Sequence, residues 1–519
     1  MPEDTFTARR SLGQNIGLFL GLILFFGLPL FFDLDPGKPI VTRMAAVAAL
    51  MSVWWITDAI PLFATALLPI VLYPLLGIMT GKAAAPIYMN STIFLFLGGF
   101  MIALAMEKWH LHKRIALFII RLMGGGPSRI VFGFMLAAAF LSMWISNTAT
   151  AIMMVPIGMA IVYQLEEEFG ESNTHKFSAG LMLGIAYACS VGGIATLVGT
   201  PPNLSFARIF AISFPQAPPV TFGLWFLLGV PISAVMLVII WFLLTKVFFR
   251  VPPSIIADRS LVAREYEALG PVSFEEKIVL IIFFSTALLW VFRVKLDLGY
   301  LSIPGWSQLL PTAKMLDDGT VAMFMASIMF LIPTRTQGVD SSSIMGPDVI
   351  RNLPWDIVLL FGGGFALAQG FQTTGLSTLI GNQFAALAGM PPIIMIVLIC
   401  LTLTFLTELT SNTATTEMVL PILASVSYAM TVNPLLFMIP ATVSASCAFM
   451  MPVATPPNAI VFGSHRVSIG EMARTGFFIN LIGVVVITAI FYFVGTVVFS
   501  IDPSVFPDWA KEMLRGAHK

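Results

Sequence analysis

Charge is what this chain has least of. Asp, Glu, Lys and Arg together make up 10% of its 519 residues, against about 25% in an ordinary soluble domain. The 27 basic and 27 acidic residues cancel, and no Lys/Arg-rich run stands out, so nothing points to nucleic acid as a partner. Cysteine is scarce too: Cys189, Cys400 and Cys447 all lie in apolar stretches, and neither a disulfide framework nor a zinc site is indicated. The segment Gly77 to Lys82 lacks the spacing of a phosphate loop, which argues against an ATP-driven machine. Within the apolar spans the ionisable candidates are Glu408 and Glu417, with no His or clear nucleophile beside them. Catalysis inside the membrane is therefore disfavoured.

What fills the chain instead is apolar. Hydrophobic residues are 58% of the total and the mean hydropathy is +0.92, which places the chain among all-α polytopic membrane proteins. Apolar runs able to cross a hydrocarbon core of about 30 Å fall near 16–32, 40–58, 62–78, 91–106, 177–199, 222–249, 276–294, 319–334, 355–371, 434–454 and 475–499, about eleven spans. The first has no small-residue cleavage site after it and is expected to be retained. Two further runs, Ala151 to Tyr163 and Met418 to Met430, are only 13 residues long and are expected to be arms of re-entrant helical hairpins.

Basic residues in short loops set the orientation. Lys108, Lys113, Arg114, Arg121 and Arg129 cluster between Glu107 and Arg129, Arg9 and Arg10 precede the first span, and Thr373 to Pro391 carries no charge. The expected arrangement is a cytoplasmic N-terminus and an outer C-terminus in the plasma (inner) membrane. Arg250 to Lys277 then reads as a cytoplasmic surface helix or linker. The resulting division is an N-terminal segment and first span at 1–35, a first repeat at 36–250, a linker at 251–275, a second repeat at 276–500 and a tail at 501–519.

The two halves share a pattern. Phe96, Gly98-Gly99-Phe100, Ser146-Asn147-Thr148 and Pro156 recur 265 positions later as Phe361, Gly363-Gly364-Phe365, Ser411-Asn412-Thr413 and Pro421. Each Ser-Asn-Thr-Ala-Thr (146–150, 411–415) is followed by Thr-Pro-Pro-Asn (200–203, 455–458), the latter pair being offset by 255. With the orientation above, the span carrying Gly98 runs inward and that carrying Gly363 outward, so the repeats are inverted. A third Ser-Asn-Thr at 172–174 has no partner at either offset and is expected in a loop.

A helix arm ending at Ser146 presents carbonyls without intrahelical partners, the negative end of its dipole. The next arm, capped by Asn147 or Thr148, points its free amides back into the same tip. One tip thus offers adjoining sites for a bare cation and an anion. Gly199 allows the chain to leave the following helix, and Pro201 and Pro202 lack amide hydrogens that would otherwise be orphaned. The second half repeats this with Ala454, Thr455, Pro456 and Pro457. Sodium suits such hydroxyl, amide and carbonyl oxygens. The tips contain no Lys, Arg or His, so a multiply charged anion held there takes its countercharge from co-bound cations. Polar residues in membrane helices often serve only packing, but two copies at matched positions argue against that here. Close packing is the expected role of Gly98, Gly99, Gly363 and Gly364, and an interfacial or packing role that of Trp54 and Trp55. His110, His112 and His465 are expected near membrane edges, in water or among headgroups.

These residues resemble the divalent anion/sodium symporter family, the dicarboxylate, citrate and sulfate carriers. Trp54-Trp55-Ile56-Thr57-Asp58-Ala59-Ile60-Pro61 is similar to that family's early motif, with Asp58 where Glu is usual. The paired Ser-Asn-Thr tips are its most specific mark, and Ala445 to Ala454, continuing to Asn458, Ile460 and Val461, is similar to its C-terminal signature. The resemblance implies a homodimer of scaffold and transport domains working by an elevator motion, with no cofactor beyond sodium as coupling ion. It implies substrate contacts from Ser146, Asn147, Thr148, Thr200, Pro201, Ser411, Asn412, Thr413, Thr455 and Pro456. It also implies one sodium site at Ser142, Ser146, Asn147 and the Gly199 carbonyl, and another at Thr407, Ser411, Asn412 and the Ala454 carbonyl. The expected activity is sodium-coupled symport of a C4-dicarboxylate such as succinate, malate or fumarate. The alternatives are a sulfate or citrate symporter and a sodium-independent dicarboxylate exchanger.

Overall fold

The computed structural model describes residues 10–123, 126–250, 259–297, 302–336, 342–384 and 389–511. Arg9, the ends of the expected linker and tail segments (251–258, 512–519) and part of the uncharged stretch before Pro391 lie outside them. Among the described residues eight helices are long and apolar enough to cross a membrane, accompanied by shorter apolar helices such as Pro127–Ser142 and Pro392–Leu406. The β-structure among the described residues is a two-stranded antiparallel pair, Leu296–Asp297 with Ser302–Ile303, and an isolated antiparallel bridge between Pro333 and Ser343.

The first helix, Leu12–Phe31, starts at a capping box between Ser11 and Gln14. It packs along Pro39–Thr57 through two notches: a Cβ on Gly17 would lie 2.0 Å from the Thr57 hydroxyl, and one on Gly21 2.5 Å from the Trp54 indole nitrogen. Trp54 donates to Leu18 O (3.3 Å) and Trp55 to Leu62 O (3.1 Å), and both rings are buried. Packing, not an interfacial belt, is therefore their role.

The glycine motifs join the halves crosswise. Gly98 on Ser91–Lys108 abuts Ala322 on Asp318–Leu331, where a Cβ would come within 2.6 Å; Gly363 on Trp355–Thr374 abuts Ala66 on Leu62–Ala66, at 2.5 Å. Each half's glycine helix thus takes its close partner from the other half, as expected of small residues that let helix backbones approach. Phe96 and Phe361, 265 positions apart, meet edge to face at 5.3 Å between ring centroids. Only residues lying beside the line that relates the two halves can touch their own counterparts in this way.

The tip units follow the same rule. Pro127–Ser142 enters, the chain turns at 143–146, and Asn147–Phe169 leaves; Glu171–Ile194 follows, breaks at 195–200 and resumes as Pro201–Ser213. In the second half Pro392–Leu406, Asn412–Ala429, Leu435–Ala445 and Pro456–Phe462 repeat the series. Pro201–Ser213 packs on Asn412–Ala429, while Pro456–Phe462 packs on Asn147–Phe169 and Glu171–Ile194. Each short helix after a break is seated on an arm of the opposite half.

Several expectations need correction. The arm expected to stop at Tyr163 continues to Phe169, a 23-residue helix long enough to span, because Gln164, Glu166, Glu167 and Glu168 are polar yet good helix formers and Leu165 between them is buried. Its counterpart runs 18 residues, to Ala429. The single span expected at 62–78 is broken into Leu62–Ala66 and Leu68–Leu75, with Pro69 lacking an amide hydrogen at the restart. The third Ser-Asn-Thr is not a loop but the first turn of Glu171–Ile194: Gly170, at φ +80°, turns the chain, and Thr174 Oγ1 donates back to Gly170 O at 3.0 Å. The tip arms are capped by Ser146 and Ser411, not by Asn147 or Thr148 or their counterparts. His112 hydrogen-bonds Met106 O (2.9 Å), whereas His110 and His465 are exposed at positive φ. The three cysteines are buried and free.

The expected surface helix is present as Arg259–Ala268 and is held against Leu111–Met123. Lys113 pairs with Glu265 (3.0 Å), and the Tyr266 ring meets the Arg114 and Arg121 guanidiniums, each 5.7 Å from its centroid. Beneath it Arg114 grips Glu276 through two bonds, of 2.7 and 3.1 Å, and donates to the Gly270 carbonyl.

The Gly363 seam has no room for a branched side chain. Gly363→Val is expected to cost about 1–3 kcal/mol by overpacking and to lower the midpoint of thermal unfolding in detergent, read by fluorescence-detected gel filtration; an unchanged midpoint contradicts the seam.

Candidate functional site

Both tips and both helix breaks face one cavity of about 710 Å³. Ser146, Asn147, Thr148, Thr200, Pro201, Ser411, Asn412, Thr413, Thr455 and Pro456 all line it, together with Gly199 and Ala454. Ser142 and Thr407 do not reach the cavity; they are fully buried behind the tips. The crosswise seating of the two short helices is what brings segments more than 200 residues apart onto one wall.

Four helix N-termini converge here, and their caps match between halves. Ser146 and Ser411 have φ/ψ of −58/143° and −63/131°, and Thr200 and Thr455 have −144/142° and −141/149°. Ser146 Oγ accepts from Ala149 N (3.1 Å), while Ser411 makes no such side-chain cap bond. The uncapped amides and the positive ends of the dipoles favour an anion. Among the described residues no Lys, Arg or His lines the cavity; the charged ones that do are Asp58 and Asp356.

Behind each tip lies an oxygen cluster with too few hydrogens. Ser142 Oγ carries one proton but lies within bonding reach of both Asn147 Oδ1 and Cys189 O (2.7 Å). Thr407 Oγ1 lies 2.6 Å from Asn412 Oδ1 and 2.9 Å from Ala445 O. A surplus of hard acceptor oxygens over protons suits a small cation. In the first cluster Gly193 makes the space: a Cβ there would sit 2.9 Å from Asn147 Oδ1 and 3.1 Å from Gly199 O, so those two oxygens face the same small volume. At the matching position of the second half stands Ala448, and the clusters are therefore not equal. Ala454, whose amide bonds Met451 O (3.2 Å), lies on the cavity wall.

Two kinds of residue have roles that the sequence pattern alone does not disclose. The Asn that ends each Thr-Pro-Pro-Asn is a clamp: Asn203 Nδ2 donates to Thr196 O (2.7 Å) and Gly193 O (3.2 Å), and Asn458 Nδ2 to Met451 O (3.0 Å) and Ala448 O (3.1 Å). These acceptors also correspond at an offset of 255. The repetition of Asn in both motifs was the available signal. Glu408 is the second: its carboxylate accepts from the amides of Phe449 (2.7 Å), Met450 (2.9 Å) and Met451 (3.1 Å) and from Asn480 Nδ2 (2.7 Å). It points into the bundle and fixes the second break. In the first half Met143 stands at that position, and its carbonyl accepts from the Thr196 hydroxyl (2.6 Å) instead.

The tips also differ in their surroundings. Trp144 is stacked on Phe222 and meets Phe283 edge to face, at 6.1 and 5.0 Å. Its counterpart Leu409 is 73% exposed and lines the cavity. The first tip is docked in an aromatic cage and the second is open.

Comparison with known proteins fits this geometry. A family model described as the sodium:sulfate symporter transmembrane region matches residues 18–501. The chain belongs to the sodium:sulfate symporter family. Among curated proteins of this kind, the "Sodium-dependent dicarboxylate transporter SdcS" of Staphylococcus aureus is 43% identical over 501 residues, covering 95% of this chain and 93% of the relative. That of Staphylococcus saprophyticus is 40% identical over 497 residues, with the same coverage. The fold is also similar to the YdaH transporter of Alcanivorax borkumensis (TM-score 0.55, 14% identity, 93% and 98% of the two chains) and to MtrF of Neisseria gonorrhoeae (0.54, 12%, 90% and 96%). At such identities the likeness concerns the fold alone.

Gly193→Ala should crowd the first cluster and spare the second. The expected result is a several-fold rise in the sodium concentration giving half-maximal activation of transport, with the substrate half-saturation at high sodium little changed; equal sodium curves for variant and parent contradict the assignment.

Proposed function

We propose that this protein is a secondary active carrier that moves a C4-dicarboxylate of the succinate, malate or fumarate type inward together with sodium. The observation that carries the reading is the single cavity where four helix N-termini meet and, among the described residues, no basic side chain lines the wall. A dianion there has dipoles and hydroxyls to bind but no fixed countercharge, and the oxygen clusters behind the tips supply cations that balance it. Moving one elementary charge against the membrane potential costs about 2.3 kcal/mol per 100 mV, so co-bound sodium makes the cargo tolerable. Ser146, Asn147, Thr148, Ser411, Asn412 and Thr413 bind the carboxylates, with Thr200, Pro201, Thr455 and Pro456 beside them. Ser142, Ser146, Asn147 and Gly199 hold one sodium; Thr407, Ser411, Asn412 and Ala454 hold another. The relatives named as sodium-dependent dicarboxylate transporters support this cargo over sulfate or citrate.

In the same reading the tip units and the helices after them form the moving body. Ser91–Lys108, Asp318–Leu331, Trp355–Thr374, Leu62–Ala66 and Pro39–Thr57 form the frame, in a homodimer of the plasma (inner) membrane. The N-terminus is cytoplasmic and the C-terminus outside. The cavity, flanked by Asp58 and Asp356 and by the open second tip, then faces the cytoplasm, on the side of the Lys/Arg-rich loop.

Liposomes containing only this protein are expected to accumulate labelled succinate when given an inward sodium gradient, and much less citrate or sulfate. Sodium-independent uptake that requires internal dicarboxylate identifies an exchanger and refutes symport. Thr407→Ala is expected to weaken sodium activation by several-fold while leaving the preference among the three anions in place; an unaltered sodium dependence removes Thr407 from the site.

A further inference from the structure

Glu417 takes no part in the cavity or the oxygen clusters, yet it is the most deeply buried acid near them. It lies on the leaving arm Asn412–Ala429, with 0% of its surface exposed. Ile152, at the same position of the first half, is 58% exposed. One carboxyl oxygen, Oε1, is bonded by the Ser205 hydroxyl of Pro201–Ser213. The other, Oε2, is buried without any hydrogen-bond partner and rests against Gly364 of Trp355–Thr374, where a Cβ would collide with it.

No cation compensates this acid among the described residues. The helices packed on Asn412–Ala429 are Leu376–Gln383, Pro201–Ser213, Leu435–Ala445, Trp355–Thr374 and Pro39–Thr57. The first and third of these carry no charged side chain. Arg208, on the second, lines a separate cavity beside Arg293, Asp317 and Asp318. Asp356 is at the N-terminal end of Trp355–Thr374, facing the main cavity. Arg43, on Pro39–Thr57, donates to the Leu76 carbonyl. On its own arm the other titratable group is Tyr428, packed on Phe506. An ionised carboxylate sealed in this way, with one donor and no ion partner, is far too costly to persist; a neutral carboxylic acid is not.

We infer that Glu417 is a proton-binding site, occupied when Asn412–Ala429 is sealed against Trp355–Thr374 and released when that seam parts. This rests on the carrier reading above only in one respect, that Asn412–Ala429 moves past a fixed Trp355–Thr374. Binding is a plain protonation: the carboxylate takes a proton from water on sealing and returns it on exposure. The sealed state therefore loses stability as pH rises, and the transport cycle acquires a pH dependence that neither the dianion nor the sodium oxygens impose. Gly364 makes the site possible, since any side chain there would displace the acid.

The test uses the purified full-length chain. Infrared difference spectra across a pH jump are expected to show the carbonyl stretch of a protonated carboxylic acid that vanishes on going from neutral to alkaline pH, and Glu417→Gln is expected to lack it. A wild type without that band, or a variant that keeps it, overturns the inference. In liposomes at saturating sodium, wild-type succinate uptake is expected to fall several-fold between neutral and alkaline pH, where the substrate stays a dianion, while E417Q stays flat; superimposable profiles overturn the inference. Should E417Q not fold, Ser205→Ala decides: it removes the single donor to the carboxylate and is expected to move the fall to higher pH, and an unmoved profile counts against the site. If neither protein transports succinate yet the infrared band behaves as expected, the carrier reading fails and the proton site stands.

Discussion

Inside a bilayer every backbone amide and carbonyl must find a partner within the protein, because no water is there to take its place. This constraint makes an interrupted helix expensive, and two hairpin tips and two helix breaks meeting at one point could not survive without specific remedies. Each remedy is visible. Pro201, Pro202, Pro456 and Pro457 remove amide donors where a helix restarts. Asn203 and Asn458 take up the carbonyls of the turns before them, and Glu408 gathers three consecutive amides of the second turn. The helix ends and tip oxygens that these repairs leave free line the candidate site.

Much of this could be read directly from the chain. The offset of 265 located the tips, the glycine seams and the phenylalanines that turn out to touch across the repeat, because a repeated residue at a fixed shift reports symmetry independently of environment. Ser142 and Thr407 were recognisable for the same reason. Where the halves differ, the shift is silent. Glu408 and Glu417 stand opposite Met143 and Ile152, and only packing reveals that the first acid is saturated with donors while the second has one. Gly193 against Ala448 is a similar case, as its meaning depends on an oxygen less than 3 Å from a missing methyl group.

Helix ends were harder to place than helices. The arm beginning at Asn147 outruns its apolar stretch because hydropathy reports lipid exposure, whereas the polar turn from Gln164 to Glu168 is continued by good helix formers, by the buried Leu165 and by the pairing of Glu166 with Arg466. The segment at 62–75 fails in the opposite direction, apolar throughout and yet divided. The Ser-Asn-Thr at 172–174 shows that the tripeptide has no structure of its own: opening Glu171–Ile194 it is an ordinary first helical turn, and only at the end of an arm does it form a tip.

The crosswise seating of the two short helices carries a mechanical consequence. Pro201–Ser213 is anchored to the second tip's arm and Pro456–Phe462 to the first tip's, so the four helix ends are interlocked like clasped fingers. A displacement that pulled one tip away would tear both anchors, and any shift that leaves them intact transports the pocket whole. On the carrier reading proposed above, the walls of the cavity then keep their spacing throughout the journey, and only their neighbours change.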